Sequence, residues 1–327
     1  MTQVPCQQIC FSVVLICYNQ EQHIEAAIDS VLAQTAIDKV QEIIVVDDCS
    51  TDGSVRLVEA IAKTNSKLRL LRRTTNSGGG SAPRNDGIYA ATGTHVALLD
   101  GDDIWLPEKL EAQLGALEAH PEIGLLFSDF RVFDDETGVE KSAVARHYDA
   151  RDPNALRDFF VHGGPAIPSC SVISREAIER VGGFNTDIRF NEETEYWLRI
   201  AAVLPIHHQP LELMRKRDWF GSIGSAKYGL ENLESKRAMT AGILERVPSL
   251  ADLVEKRDAQ IEFKTAVHHF AQGDTAKGRA HLRSALKLDR GLKKARLYLL
   301  VSYLSANPQA LLDFLRTART YLPVGLR

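Results

Sequence analysis

Two short acidic runs, each directly after an apolar run, are the residues of this sequence best suited to chemistry. They are VVDDCSTDGS at residues 45–54 and LLDGDDIWLP at residues 98–107. Two carboxylates at the end of a buried strand are poorly explained by stability, because a buried charge without a partner is expensive. A carboxylate placed there can accept hydrogen bonds from a nucleobase edge or a ribose, and Asp48, beside Asp47, is read as such a ligand contact. Asp52 is read instead as bracing the helix that follows, which Ser50 or Thr51 could also cap. In the second run three carboxylates, Asp100, Asp102 and Asp103, lie within four residues. Hard divalent cations such as Mg²⁺ or Mn²⁺ take oxygen ligands of this kind and bridge to substrate phosphates. An Asp-x-Asp at a strand end leaves coordination positions open for a diphosphate, and the ion then stabilises charge on a departing nucleotide without a proton being delivered. A solvated acidic turn is the alternative.

Between the two runs lies NSGGGSAPRNDGIYAATG, residues 76–93. The triple glycine allows close backbone approach to a ligand, and Arg84 supplies a cation near the presumed phosphate position. The segment is not a P-loop, because the lysine and its spacing are missing, and no GxGxxG follows the first apolar run. A dinucleotide-binding domain is therefore disfavoured. His207-His208 follows an expected strand, where adjacent side chains point to opposite faces and make a poor chelating pair. Packing or surface roles are expected there and at His268-His269.

The elements that must position these residues are legible from periodicity. Phe11–Cys17 (FSVVLIC), Glu42–Val46, Leu68–Leu71 and His95–Leu99 read as strands. Between them run helical patterns through Ile24, Ile28, Val31 and Leu32, and through Val55, Val58 and Ile61. Strands alternating with helices imply a largely parallel sheet covered on both faces, with ligands bound beyond the carboxyl ends of the strands. Both acidic runs sit at such ends. After about Tyr228 the pattern becomes helical, with a break at Gly273-Asp274 and one stretch that loosely resembles a tetratricopeptide hairpin. From Thr275 to Arg327 there are eleven Lys and Arg against two Asp. A solvated helix face explains that excess; attraction to an anionic membrane surface or an acidic acceptor is the sharper alternative.

Composition sets the outer bounds. With 44% hydrophobic and 25% charged residues, the 327-residue chain has the profile of an ordinary globular protein. A net charge of −4 argues against a dedicated nucleic-acid binder. Five cysteines without a CxxC pair suit a reducing compartment. Neither a secretory signal nor a run of about 18 apolar residues is found, so a soluble, cytoplasmic protein is expected. Peripheral contact with the inner membrane face would run through the basic C-terminal helices.

Taken together, these residues resemble glycosyltransferase family 2, a group of inverting enzymes with a GT-A fold. The landmarks run in the family's order: an opening strand with CYNQ, then VVDDCSTDGS, NSGGGSAPRN, LLDGDDIWLPEKL, PSCSVISREAIERVGGF and NEETEYWLR. The resemblance covers about residues 10–225 and implies a GT-A α/β domain over 8–227, with a helical region over 228–327. It implies that Asp48, with Asp47, contacts the nucleobase end of a donor, that Asp102 binds Mn²⁺ or Mg²⁺ with Asp100 assisting, and that Arg84 lies near the nucleotide. Family members carry a Glu-Asp pair before a Trp-Leu-Arg run, where this chain has Glu192-Glu193 before Trp197-Leu198-Arg199. Glu193 thus falls at the base position, and it offers the same group on a longer arm. A second departure is RDWFGS at 217–222: many relatives have a histidine where Trp219 stands, so an imidazole ligand is missing, although Arg217 could still meet phosphate. Trp219 could stack on a sugar ring or simply pack.

The implied reaction moves a hexose from a nucleotide-diphosphate donor, most often a UDP-sugar, to an acceptor hydroxyl by one in-line displacement. A lipid-linked glycan or cell-surface polysaccharide is the acceptor type implied. The rivals are a sugar nucleotidyltransferase, whose Gly-rich basic signature near the first strand is missing here, and a non-catalytic nucleotide-sugar-binding module.

Overall fold

The computed structural model describes residues 8–135, 137–144, 147–163, 166–218 and 229–304. The chain divides into two compact units, Met1–Phe159 with Gly163–Ser225, and Phe160–His162 with Ala226–Arg327.

The first unit is built on nine strands: β1 (Phe11–Cys17), β2 (Val40–Asp47), β3 (Leu68–Arg72), β4 (His95–Asp100), β5 (Ile104–Trp105), β6 (Leu125–Phe133), β7 (Glu140–Ala143), β8 (Ser171–Ser174) and β9 (Ile206–Arg217). Its helices are α1 (Ile24–Leu32), α2 (Ser54–Thr64), α3 (Ser81–Ala90), α4 (Lys109–Ala119), α5 (Ala155–His162, whose last three residues fall in the second unit), α6 (Arg175–Val181) and α7 (Glu192–Ala201). The strands form one sheet in the order β3-β2-β1-β4-β8-β6-β9-β5, with β7 paired to β6. The β3-β2-β1-β4 half is wholly parallel, as its continuous apolar runs require of strands buried on both faces. Val13, Leu15, Ile43, Ile44, Val45 and Val96 are fully buried.

Beyond β4 the sheet becomes mixed, in keeping with the mixed, mostly parallel sheet that the GT-A resemblance implies. β8 runs antiparallel to both β4 and β6, and β5 runs antiparallel to β9. His207 and His208 lie inside β9 instead of after it. They do point to opposite faces: His208 is 1% exposed with Nε2 2.8 Å from Asp129 Oδ1, whereas half-buried His207 stacks on His120.

Helix α3 lies against β1 and β2, and Gly87 is where the two backbones come closest. A Cβ added there would sit 2.3 Å from Val14 Cγ1 and 3.2 Å from Val46 Cγ2. Replacing Gly87 by Ala is expected to destabilise the protein by about 1–3 kcal/mol through overpacking, read as a lower denaturant midpoint with unchanged m.

The second unit contains α8 (Gly229–Arg246), α9 (Val254–Ala271), α10 (Thr275–Leu288) and α11 (Lys293–Leu304). The break expected at Gly273-Asp274 is present: Gly273 has φ +78°, and the Asp274 carboxylate accepts from the Lys277 N–H at the start of α10. Ala259, Ala266, Phe270, Leu282, Ala285 and Ala295 form the core of this unit. Small residues on facing helices allow the close packing of a helical hairpin. No helix among the described residues is long and apolar enough to cross a membrane.

Candidate active site

The acidic runs leave the carboxyl ends of β2 and β4, the two strands that flank β1. In register, Cys17 at the end of β1 faces Asp47 at the end of β2, and Ile16 faces Asp100 at the end of β4. The loops that leave β1 and β2 are tied to one another. Ser50 Oγ accepts the Asn19 N–H, Asn19 Oδ1 accepts the Thr51 N–H, and Glu21 Oε2 accepts the Gly53 N–H at 2.6 Å. Ser50 and Thr51 therefore brace the neighbouring loop and do not cap α2, which starts only at Ser54. Asp52 does brace that start, its Oδ1 accepting from the Ser54 N–H and hydroxyl.

Backbone conformation also singles out this end of the sheet. Among the described residues, the non-glycine residues with positive φ are Asn19, Cys49 and Asn191, in the loops after β1 and β2 and at the N-cap of α7. Each costs on the order of 1–2 kcal/mol unless its surroundings enforce it, and such residues gather at functional sites.

Asp48 is 3% exposed and already engaged. Its carboxylate accepts from the Ser77 N–H and hydroxyl and from Asn76 Nδ2, and Arg73 Nε lies 2.9 Å from Oδ1. It thereby anchors the start of the Gly-rich loop to the end of β2. On the far side of Arg73 the surface dips into an open depression of about 390 Å³ lined by Leu71, Arg72, Arg73, Thr74, Thr75 and Asp86. Asp47 points inward: it is 2% exposed, and Oδ2 accepts from the Ser50 N–H.

The second acidic run separates into two roles. Asp103 is buried; its Oδ2 accepts from Ser169 Oγ at 2.6 Å and its Oδ1 from the Arg217 N–H at 3.0 Å. Burial, reinforced by the charges of Asp102 and Asp100, holds its carboxyl well above the usual range. Ser169 Oγ also accepts the Asp100 N–H. Asp103 and Ser169 thus pin the turn from inside, while Asp100 and Asp102 keep partial exposure. These two offer the hard oxygens that Mn²⁺ or Mg²⁺ takes. Among the described residues no group of three or more His, Cys, Asp or Glu is gathered to hold a metal alone.

Arg84, brought in by α3, is the hub of the site. It is 6% exposed, Nη2 donates to Asp100 Oδ1 at 2.8 Å, and Nη1 donates to Glu192 Oε1 at 3.0 Å. Burial disfavours its charge, but the two carboxylates outweigh that and hold its pKa above the ordinary arginine value. Glu192 opens α7, so this contact carries Glu193 to the strand ends; Glu193 Oε1 accepts from the Thr194 hydroxyl. Arg217 donates from Nε to the Asp102 carbonyl, pairs with Asp135 and lies over the Phe133 ring. Trp219 lies outside the described residues.

Sequence reasoning missed several members of this cluster: Arg73, Ser77, Ser169, the carboxylate of Glu192 as partner of Arg84, and His23. The His23 imidazole has its pKa lowered by burial and by the charge of Arg217, against the opposing pull of Asp102, which places it beside the second acidic run. Its sequence neighbourhood, CYNQEQHIE, carries no signal of that proximity.

The model of Glycosyl transferase family 2 matches residues 12–182, just over half of the chain, and ends before Glu192-Glu193. The putative teichuronic acid biosynthesis glycosyltransferase TuaG of Bacillus subtilis is 40% identical over 103 residues, 32% of this chain and 40% of that protein. Curated relatives that share 41% identity are covered over only 35% of their own length. Among solved structures, Staphylococcus aureus TarS 1-349 in complex with UDP-GlcNAc superimposes with a TM-score of 0.61 at 19% identity, covering 90% of this chain and 88% of that one. The mannosyltransferase PcManGT of Pyrobaculum calidifontis, in complex with GDP-Man and Mn²⁺, gives 0.56 at 20% identity, covering 91% and 85%.

Proposed function

The chain belongs to glycosyl transferase family 2 and has the GT-A fold, and from that premise we propose that it is an inverting glycosyltransferase using a nucleotide-diphosphate sugar. The observation that carries this reading is the Arg84 bridge, which sets the carboxylates at the end of β4 beside the helix that bears Glu193. A donor diphosphate and an acceptor hydroxyl would meet between those two elements.

In this reading the carboxyl edge of β2 beside Asp48 and Arg73 takes the nucleobase and ribose, with Asp47 holding the turn behind them. Mn²⁺ or Mg²⁺, held by Asp102 and Asp100, would supply positive charge to the diphosphate. Glu193 orients the acceptor hydroxyl and takes its proton as that oxygen attacks the anomeric carbon from the side opposite the leaving group. Inversion follows from the single displacement. Arg84 and Arg217 add fixed positive charge around the same carboxylates, and Asp103 and Ser169 keep the turn from shifting. A UDP-sugar is the donor favoured, in keeping with the UDP-GlcNAc bound by the structural neighbour TarS. A glycan or lipid-linked acceptor is favoured, in keeping with the teichuronic acid biosynthesis role given to TuaG. The basic helices α10 and α11 suit peripheral contact with an anionic membrane surface, since Arg283, Lys287, Lys293 and Arg296 accompany exposed Leu297 and Leu300.

The test is calorimetric titration of UDP with and without Mn²⁺, on the wild type and on Asp102→Ala. Wild-type UDP binding that Mn²⁺ strengthens, and that in the presence of Mn²⁺ weakens about thirtyfold in the variant, roughly 2 kcal/mol, is the expected result. If UDP, GDP and the deoxythymidine diphosphate all fail to bind with either metal, the donor-site reading is wrong.

A further inference from the structure

Glu192 and Glu193 are adjacent, yet they face different tasks. Glu193 is assigned to the acceptor, whereas Glu192 turns to Arg84 and, through it, to Asp100. The guanidinium is enclosed: it is 6% exposed, its carbon lies 5.5 Å from the centre of the Phe184 ring, and its Nε has no partner among the described residues. The third glycine of the triple-glycine run makes room for it. A Cβ on Gly80 would lie 2.4 Å from Arg84 Nη1 and 2.7 Å from Cζ. A cation held so tightly needs its counter-charge continuously, because leaving a buried charge uncompensated costs several kcal/mol. Asp100, however, is also one of the two carboxylates offered to the metal. An ion bound there would set two cations on one carboxylate, and Glu192 is the other carboxylate in contact with Arg84.

We propose that Glu192 is a positioning residue, the counter-ion that lets Asp100 be shared, and that Arg84 couples occupation of the donor site to the placement of the α7 N-terminus. The inference rests on the donor-site reading given above. Its logic is electrostatic. When the charge of Asp100 is drawn towards a metal, Arg84 leans more heavily on Glu192, and the helix start that carries Glu193 is held with it. Linkage makes the effect reciprocal, so weakening the Glu192 contact must weaken metal-assisted donor binding. The site would be most firmly set for proton removal when the donor is in place.

The experiment is titration of UDP in the presence and absence of Mn²⁺, on the wild type, Glu192→Gln and Gly80→Ala, with the thermal midpoint of each recorded. Glu192→Gln removes the charge and keeps the shape. Gly80→Ala alters no charge and displaces Arg84, so it serves even where Glu192→Gln fails to fold. The expected result is that the gain in UDP affinity caused by Mn²⁺ falls about tenfold in Glu192→Gln, where Arg84 leans wholly on Asp100, and does not fall in Gly80→Ala, where that competitor is displaced. In Glu192→Gln metal-free UDP binding should stay within about twofold of wild type, and Glu192→Asp should recover most of the gain. An unchanged Mn²⁺ gain in Glu192→Gln, or a reduced one in Gly80→Ala, overturns the proposal. Equal losses with and without Mn²⁺ also overturn it, since they mark a structural role alone. If the wild type binds no nucleoside diphosphate, the donor-site reading falls first and this coupling falls with it.

Discussion

Replacing Glu193 by Gln is expected to lower kcat about 10³-fold while Mn²⁺-dependent UDP binding stays within about twofold, the pattern of a lost general base. The amide keeps the size of the side chain and can still accept from the Thr194 hydroxyl, as the carboxylate does, so the fold around it should persist. What is lost is the ability to take a proton from the attacking hydroxyl. The readout is single-turnover release of UDP from a UDP-sugar in the presence of acceptor, beside a calorimetric titration of UDP. The two readouts separate three cases. A slow variant with normal binding supports Glu193 as base. A slow variant with weak binding marks a collapsed site. A variant within about threefold of wild-type kcat moves the base elsewhere, since a general base contributes at least about 10². The comparison matters because the family match ends at residue 182, so the assignment of Glu193 rests on the resemblance of NEETEYWLR to the family's acceptor segment, together with its place at the start of α7.

Replacing Arg84 by Met is expected to destabilise the protein by about 3 kcal/mol, the lower end for removing one partner of a buried ion pair. The lower end applies because the partners are not sealed off: the side chains of Asp100 and Glu192 are 28% and 16% exposed, and water can reach them. Met fills much of the same volume against Phe184, so lost packing contributes little beside the lost charge. Two carboxylates that shared a cation would then face one another, and α7 would lose its tether to β4. Chemical denaturation should show the loss as a lower midpoint with unchanged m. A change below about 0.5 kcal/mol, the level of an ordinary surface substitution, would mean that the bridge is not formed in solution.

Much of the first half of the fold was legible because it is written in local pattern. The runs read at Phe11–Cys17 and Glu42–Val46 became the buried parallel strands β1 and β2, since a strand covered on both faces has little polar side to show. Asp47 and Asp100, which end β2 and β4, lie at the carboxyl edge where parallel α/β sheets bind ligands. The mixed half was not legible. β8 is four residues long and β5 two, too short for a period-two pattern to stand out, and their antiparallel pairings join segments about 45 to 110 residues apart.

Residue types and their order determined the family, the strand-end carboxylates and the pair that opens α7. Tertiary structure alone decided which charge answers which. Asp48 was read as a ligand contact, and the fold shows its carboxylate already shared among Arg73, Asn76 and Ser77. Arg84 was placed near phosphate, and the fold gives its terminal nitrogens to Asp100 and to Glu192, the latter 108 positions away. Asp103 was one of three carboxylates in its run with no role of its own, and Ser169 and Arg217 draw it inward. The physical reason is that burial follows from local periodicity, whereas the neutralisation of a buried charge is set by whichever distant segment the packing brings within about 3 Å.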